Sequence, residues 1–403
     1  MTPQLRRAFL ALALATFAYQ FSFGLSRSVQ TNFFVQELGL APAEMGLLTA
    51  LRELLGLVAF AMAAATMRFA PPKVAALCFA VMGIGYAAYG WATSFGSLYP
   101  AVMFASAGFH LWIPLQQAFG LSLARREDAG QMLGKITSIG WAASLASMLL
   151  VLLTVSTPTQ PEPLLPTQLE LGYREIFIAS GAILVLGLLA ILRFPSDLAE
   201  VHEERAVFRR RYGLFYVLNF LDGCRMEVFQ AFGVFLLVKQ YGVDVRTITL
   251  LFIVSGVCNM LLSQPVGRLI DRVGERRTLT FSYAVLLFVF LGFALVPFAP
   301  VAIALYVVYQ VVLLFSIGVT TYLKRIAPDA DVRPSLAMGL TTMHISAVVL
   351  PPLGGLLWEA FGFQVPFLLG ALFIGSSILA TQRLPRKEPP IAIASRPAVG
   401  STG

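Results

Sequence analysis

The sequence predicts an all-α integral membrane protein whose twelve transmembrane helices form two six-helix bundles related by pseudo-two-fold symmetry. Of the 403 residues, 58% are hydrophobic and only 12% are charged, about half the charged share of a soluble domain. Twelve apolar segments are long enough to cross a hydrocarbon core about 30 Å thick. The second six segments also repeat features of the first six, which is typical of transporters built from internal repeats.

The loops between the apolar segments determine the predicted orientation. With both termini on the cytoplasmic side, the inner loops and tails contain 23 of the 29 Lys and Arg residues, as the positive-inside rule requires. The net charge of +8 therefore reflects topology and predicts no nucleic-acid partner. We expect a multi-pass protein of the cytoplasmic membrane that is a monomer in the lipid bilayer. The predicted spans are 8–33, 43–67, 73–93, 97–122, 134–155, 175–193, 212–238, 246–270, 278–298, 300–323, 336–360 and 364–382.

A polar segment on the inner side predicts how the chain is divided. Residues 194–211 carry acidic residues and four arginines, and we expect them to be a cytoplasmic linker with a short helix on the membrane surface. The predicted N-terminal bundle is 1–193 and the predicted C-terminal bundle is 212–386. The Pro-, Ala- and Ser-rich residues 387–403 predict a disordered cytoplasmic tail. Four prolines within 157–172 predict an extended connection on the outer side.

The most specific motif is the polar run between the eighth and ninth spans, Gly267-Arg268-Leu269-Ile270-Asp271-Arg272-Val273-Gly274-Glu275-Arg276-Arg277. It resembles the loop motif of the major facilitator superfamily, Gly-x-Leu-x-Asp-Arg-x-Gly-Arg-Arg, which lies between the second and third helices of each half. The resemblance implies the six-plus-six fold of that family and transport by alternating access. The residues that match the motif, and that we expect to form an inner gate, are Gly267, Asp271, Arg272, Gly274 and Arg276.

The first half contains a reduced copy of this motif. A shift of 203 residues places Arg68 on Asp271, but residues 64–73 lack the acid and the glycines. The inner gate is therefore expected to depend asymmetrically on Asp271.

A proline- and glycine-rich segment in the eleventh span predicts the direction of transport. Pro351-Pro352-Leu353-Gly354-Gly355 is similar to the Gly-Pro-x-x-Gly-Gly kink of antiporter members of the family. In those members the kink belongs in the fifth span, which here lacks the proline, and the fourth span lacks the arginine of proton-driven drug exporters. The similarity favours efflux over uptake.

The seventh span carries most of the intramembrane charge. Asp222 and Arg225 are three residues apart, so they share one helical face and can neutralise each other. Glu227 points elsewhere and must find another partner or bind a proton. Helical rise places both acids near the middle of the membrane, where transporters bind substrates and ions. Two readings stay open: a structural ion pair, or an acid that takes up and releases a proton in each transport cycle.

A second group of charges lies in the first two spans. Arg27 and Arg52-Glu53 are each about 14 Å below the outer surface by helical rise. Because these spans are antiparallel neighbours, Arg27 is expected to pair with Glu53, which leaves Arg52 for an anionic substrate. A gate of salt bridges that closes the outer side is the alternative.

Two histidines and several neutral polar residues complete the candidate site. His110 and His344 lie within the fourth and eleventh spans, where each can relay protons or simply bond a neighbouring helix. Further polar residues fall on spans that line the central cavity in the family and can bind a polar solute or bridge helices. They are Tyr19, Gln20, Gln117, Asn219, Gln230, Asn259, Tyr306 and Gln310.

These observations predict a secondary active transporter of a small polar or anionic organic solute, coupled to protons. No phosphate-binding glycine loop is present, so neither an ATP-driven pump nor an enzyme is indicated, and no cofactor is expected. Nutrient import, uniport and a non-transporting sensor are the rival functions. Cys224-x-Met226 and Cys258-x-Met260 offer soft ligands for Cu(I), but residues two apart face different sides of a helix, so no metal site is predicted.

Overall fold

The computed structural model describes residues 2–66, 68–124, 129–157, 162, 164, 171–198 and 207–385. Within these residues the regular structure consists of α-helices joined by short turns and three short 3-10 segments, Ser196–Leu198, Arg210–Tyr212 and Leu313–Ser316. The helices are α1 Pro3–Gln36, α2 Pro42–Leu57, α3 Ala59–Thr66, α4 Pro71–Tyr89, α5 Phe95–Ser122, α6 Ala129–Thr154, α7 Tyr173–Ile191, α8 Gly213–Lys239, α9 Val245–Val273, α10 Glu275–Leu295, α11 Ala299–Val312, α12 Ile317–Ile326, α13 Asp329–Phe361 and α14 Gln364–Thr381.

Each of the twelve predicted spans corresponds to helical structure. Among the described residues, ten helical stretches are long and apolar enough to cross a membrane by themselves. The other two are α8, which carries the buried charges, and the second span, which is divided into α2 and α3 at Val58. The tenth span is likewise α11 and α12, joined by a 3-10 turn. The fold prediction is confirmed, although these two interruptions were not expected.

The helices cross between two faces of the molecule. The N-terminal face is the one at which α1 begins, and the far face is the one at which α1 ends. Large apolar side chains on the outside of the bundle are well exposed, among them Phe288 at 70% and Leu379 at 74%. Contiguous apolar surface of this kind is stable in lipid but not in water, so the exposed belt agrees with a multi-pass membrane protein.

The two predicted bundles remain a prediction, although the packing follows the same division. In the first half α1 packs on α6 and α7, and α4 packs on α5 and α7. In the second half α8 packs on α13 and α14, and α10 packs on α14. Residues 199–206 of the predicted linker, the predicted tail at 387–403 and most of the proline-rich connection lie outside the described residues.

The halves meet most closely along α2 and α13. A Cβ atom on Gly46 would overlap the backbone of Pro351, and one on Gly355 would lie 2.7 Å from the Cα atom of Ala43. Small residues allow two helix backbones to approach in this way. The two glycines therefore let the far-face halves of α2 and α13 touch through main-chain atoms.

Polar contacts close the same face. The Asn32 side chain donates to the carbonyl of Val243 at 2.9 Å, and Lys239 donates to the carbonyl of Leu40 at 3.1 Å. The Glu359 carboxylate accepts from the backbone N–H of Ala43 at 3.0 Å. All three bonds join the first half of the chain to the second, so the far face is closed.

The arginine-rich motif is helical except at Gly274, because Gly267 lies within α9. Gly274 is the single residue between α9 and α10, and its φ of 91° is strained for any residue with a side chain. Beside it, Glu275 forms an ion pair with Arg325 at 2.6 Å, and Arg276 donates to the Gln382 side chain at 3.0 Å. These two contacts tie the turn to other helices of the second half at the N-terminal face.

Candidate functional site

Four ionisable side chains meet where α2, α5 and α13 pack together. Arg52 and Glu53 are neighbours on α2, and the Arg52 guanidinium lies 3.1 Å from Glu53 Oε1. The other carboxylate oxygen, Glu53 Oε2, lies 3.7 Å from His110 Nε2 and 3.6 Å from His344 Nδ1. Because His344 belongs to α13, this cluster joins the two halves of the protein through charge.

The hydrogen bonds of His110 determine where a proton can lie. Its Nδ1 is 3.0 Å from the carbonyl oxygen of Ser106, which can only accept, so Nδ1 carries a hydrogen. In a neutral ring Nε2 is then unprotonated and faces a carboxylate. In that neutral form His110 Nε2 and Glu53 Oε2 face each other as two acceptors. A proton added between His110 and Glu53 changes this contact from repulsive to attractive.

A glycine gives the two imidazole rings room beside α2. Gly56 lies one turn beyond Glu53, and a Cβ atom there would be 2.7 Å from His110 Nε2 and 2.8 Å from His344 Cε1. The ring centroids of the two histidines are 6.1 Å apart. Ser106 fixes the depth of α5 by donating to the carbonyl of Arg52 at 2.8 Å.

A second acid, Glu227 on α8, faces the same cluster. Its charge is close enough to interact with Arg52 and Glu53. The side chain is buried, with 4% of its surface exposed. Among the described residues its Oε2 atom has no hydrogen-bond partner. A buried and unpartnered carboxylate oxygen is costly when ionised.

Asp222 and Arg225 form an ion pair within α8. Both Nε and Nη2 of Arg225 donate to Asp222 Oδ1, at 3.1 and 3.0 Å. The guanidinium is also 5.5 Å from the ring centroid of Tyr283. Both side chains are almost fully buried, so each depends on the other for its charge to be tolerated.

A cavity of about 360 Å³ lies beside this charged layer, between α1, α5 and α6. It follows these helices from mid-depth towards the N-terminal face. The part of its wall that the structure describes contains amides, hydroxyls, apolar side chains and one charged group, Arg27. The lining residues are Thr16, Gln20, Phe23, Arg27, Ile113, Gln116, Gln117, Leu133, Ile136, Thr137, Gly140, Trp141 and Ser144.

Arg27 reaches from the cavity to the second half of the chain. Its guanidinium carbon is 4.6 Å from the ring centroid of Phe252 on α9 and 5.9 Å from that of Phe23. It also interacts with the hydroxyl of Tyr306 on α11. Within the described part of the chain it has no carboxylate partner.

Comparison with known proteins decides the family. The sequence matches the Major Facilitator Superfamily over residues 12–318 and again over 215–400. The chain belongs to this superfamily. A comparison with curated proteins finds no match.

Solved structures of superfamily members share this fold over nearly the whole chain. The nucleoside transporter NupG is 15% identical, with a TM-score of 0.74 over 94% of this chain and 98% of that one. A bacterial homolog of the human lysosomal transporter Spinster, in an inward-facing and unoccupied conformation, is 15% identical, with a TM-score of 0.70 over 96% and 100%. A D-xylose-proton symporter is 13% identical, with a TM-score of 0.69 over 95% and 98%. The superfamily and these relatives are transporters, not enzymes.

The ion pair predicted between Arg27 and Glu53 is wrong. Arg27 does not pair with Glu53, because Arg52 reaches the same carboxylate from the adjacent position on α2. Arg52 is therefore paired with a carboxylate, whereas Arg27 has no carboxylate partner among the described residues. Arg27, Arg52 and Glu53 were expected to form one outer cluster. In the structure Arg52 and Glu53 belong to the ionic cluster, and Arg27 lines the cavity.

The remaining predicted polar residues are distributed unevenly. Gln20 and Gln117 line the cavity, and Gln310 donates to Tyr306 at 2.8 Å. The other four do not converge with them: Tyr19 packs against Trp112, Asn219 bonds its own helix, Gln230 is exposed and Asn259 is half-buried. Of the two Cys-Met pairs, Cys224 is fully buried and Met260 is 57% exposed.

Several residues of the site were missed from the sequence. Thr16, Gln116 and Trp141 line the cavity, and Gln116 donates to Thr16 at 2.8 Å. The signal for Thr16 was present, because Thr16, Gln20 and Arg27 are four and seven residues apart and share a face of α1. Ser106 and Gly56 carry no polar pattern that would have singled them out.

Proposed function

We propose that this protein is a secondary active transporter that couples protons to the movement of a small polar or anionic organic solute by alternating access. The observation that carries the proposal is the buried cluster at mid-depth, in which Arg52, Glu53, His110, His344 and Glu227 belong to both halves of the chain. Charged groups at this depth are costly and mark ion pathways in membrane proteins.

The charges of this cluster do not balance without a proton. Glu53 and Glu227 are two acids, and Arg52 is the one permanent cation among the five groups. With neutral histidines the cluster therefore carries one excess negative charge in a low-dielectric setting. One proton, held by Glu227 or between Glu53 and a histidine, neutralises it. Loss of that proton changes the attraction between α2 and α13 and so favours a different arrangement of the halves.

The two faces of the molecule support alternating access. The far face is sealed by α2 and α13, while the cavity extends towards the N-terminal face. The excess of Lys and Arg in the loops of the N-terminal face favours the cytoplasmic side for that face. On this assignment the structure represents an inward-facing state of a protein in the cytoplasmic membrane.

The direction of transport rests on the sequence alone. Pro351 and Gly355, which motivated efflux, pack α13 against α2, and this packing serves either direction equally. A uniporter is the rival within transporters, because it requires the cavity but no proton site.

The proposal is tested with purified protein in liposomes that contain a pH-sensitive dye. A solute library is added outside, and each solute is scored for the proton movement that it causes. Wild-type protein should move protons only when a transported solute is present. Glu227→Gln and Glu53→Gln should keep solute exchange across the membrane while losing solute-driven proton movement.

A half-buried acid outside the ionic cluster provides the matched control. Glu44→Gln changes the same functional group at the start of α2, where Glu44 caps the helix, and should leave proton movement intact. Solute flux that is indifferent to an imposed pH gradient, with Glu227→Gln behaving as wild type, would refute proton coupling and favour the uniporter.

A further inference from the structure

We infer that the cavity beside Arg27 binds an organic monoanion with an apolar, ring-sized body, whose anionic group pairs with Arg27. This inference rests on the proposed transport function and names the class of solute. It depends on three properties of the cavity: its single charge, its apolar walls and its size.

The single charge points to an anion. Among the described residues, Arg27 is the one charged residue that lines the cavity, and no carboxylate contacts it. Its charge is met only by the ring faces of Phe252 and Phe23 and by the hydroxyl of Tyr306. A cation–π contact stabilises an arginine far less than a carboxylate does in a partly dehydrated site. A guanidinium held in this way can bind a carboxylate by donating two parallel hydrogen bonds to it.

The charges at mid-depth predict that the ligand carries one negative charge. Arg27, Arg52 and Arg225 are balanced by Glu53, Asp222 and Glu227 when all six are ionised. Once a proton neutralises the cluster around Glu53, Arg27 becomes the one uncompensated cation. A monoanion then makes the layer neutral, whereas a dianion would leave a buried excess charge.

The side chains that line the cavity indicate the chemistry of the rest of the ligand. Phe23, Ile113 and Trp141 provide apolar surface from three different helices, and Gln20 and Gln117 provide amides on either side of it. Small-molecule sites in proteins commonly combine apolar walls with a few polar groups. The volume of about 360 Å³ is at the lower end of the usual range of about 300–1,000 Å³. One ring with one carboxylate fits this description, and a sugar-sized polyol leaves the apolar walls uncovered.

Benzoate is the probe, and its binding is measured directly rather than through transport. Purified protein in detergent is titrated with radiolabelled benzoate at one fixed pH, and benzamide, benzylamine and succinate are tested as competitors. Wild-type protein should bind benzoate at least about 30-fold more tightly than benzamide, since a charged group that loses its partner in a buried site costs a factor of this order or more. Benzylamine and succinate should compete no better than benzamide.

Variants identify the residue. Arg27→Gln should reduce benzoate affinity at least about 30-fold and remove the preference over benzamide. Arg27→Lys keeps the positive charge but cannot donate two parallel hydrogen bonds, so its benzoate affinity should fall less than that of Arg27→Gln. The matched control is Arg193→Gln, since Arg193 is exposed just beyond the end of α7 and, among the described residues, donates to the carbonyl of Leu189. Benzoate that binds no better than benzamide to wild-type protein, a result that needs no variant, overturns the inference. Unchanged benzoate affinity in folded Arg27→Gln overturns it as well.

The outcomes separate this inference from the proposed function. Arg27-dependent benzoate binding without any solute-driven proton movement would support the anion site and refute proton coupling. Proton movement driven by other solutes, with no benzoate binding, would support coupling and refute the anion site.

Discussion

The ion pair within α8 allows a prediction of stability that can be worked from its geometry. Asp222→Asn keeps the shape of the side chain but removes the negative charge beside Arg225, whose side chain is only 2% exposed. At 3.0 Å and an effective dielectric constant of about 20, the lost attraction is about 5 kcal/mol. The amide oxygen still accepts one hydrogen bond, which recovers about 1 kcal/mol. We therefore expect the free energy of unfolding to fall by about 4 kcal/mol, within the range of about 3–5 kcal/mol for broken buried pairs.

The double variant Asp222→Leu with Arg225→Met is the informative partner. It removes both charges and replaces them with apolar groups of similar size, so most of the lost stability should return. Unfolding is measured at equilibrium in mixed micelles of increasing denaturing-detergent content, followed by tryptophan fluorescence. Asp244→Asn is the control, because Asp244 caps the start of α9 and Asn caps a helix about as well as Asp, so the change should cost well under about 1 kcal/mol.

Two results would refute this reasoning about Asp222. Asp222→Asn within about 1 kcal/mol of wild type would mean that Arg225 has another source of compensation. A double variant as unstable as the single one would mean that the charges do not depend on each other. A stable double variant that still moves protons with solute would remove Asp222 from the candidate proton carriers.

Two further predictions concern the faces of the molecule. Gly46→Leu places a side chain where the backbone of Pro351 lies, so it should hold the far face open. A cysteine placed at position 32 should then be labelled faster than in the wild-type background. Unchanged labelling would show that α2 and α13 adjust freely. Asp271→Asn should impair transport far more than Arg68→Gln, because only the second copy of the motif retains its acid; equal losses in a flux assay would contradict the asymmetric gate.

The sequence was sufficient for the spans because the length of an apolar run decides whether it crosses a membrane. It was not sufficient for the break at Val58. No proline lies in that span, and the residue that matters there, Gly56, is explained by two imidazole rings from other helices. A helix that is interrupted by its tertiary contacts leaves no local signal.

The candidate site was predicted residue by residue but not in its pairings. Glu53, His110 and His344 were each recognised as intramembrane ionisable residues, since their cost in hydrocarbon is a property of the residue itself. Their meeting depends on the depth at which α2 lies against α13, and close packing sets this depth. The wrong partner predicted for Glu53, Arg27 instead of Arg52, also reflects helix packing. Helical rise gives the depth of a residue in the membrane but not which side of its helix faces a neighbouring helix.

The main-chain contact between Gly46 and Pro351 has a consequence for electrical insulation. A carrier that exchanges protons must pass through moments when its ionic cluster is discharged and its ion pairs are weakened. A barrier made of titrating groups would leak at those moments and dissipate the gradient that drives the cycle. Peptide groups packed against each other do not titrate, are not screened by salt and leave no room for a file of water. The backbone contact at the far face therefore blocks proton leakage for as long as α2 and α13 stay together, and the block is lifted only when the two halves rearrange.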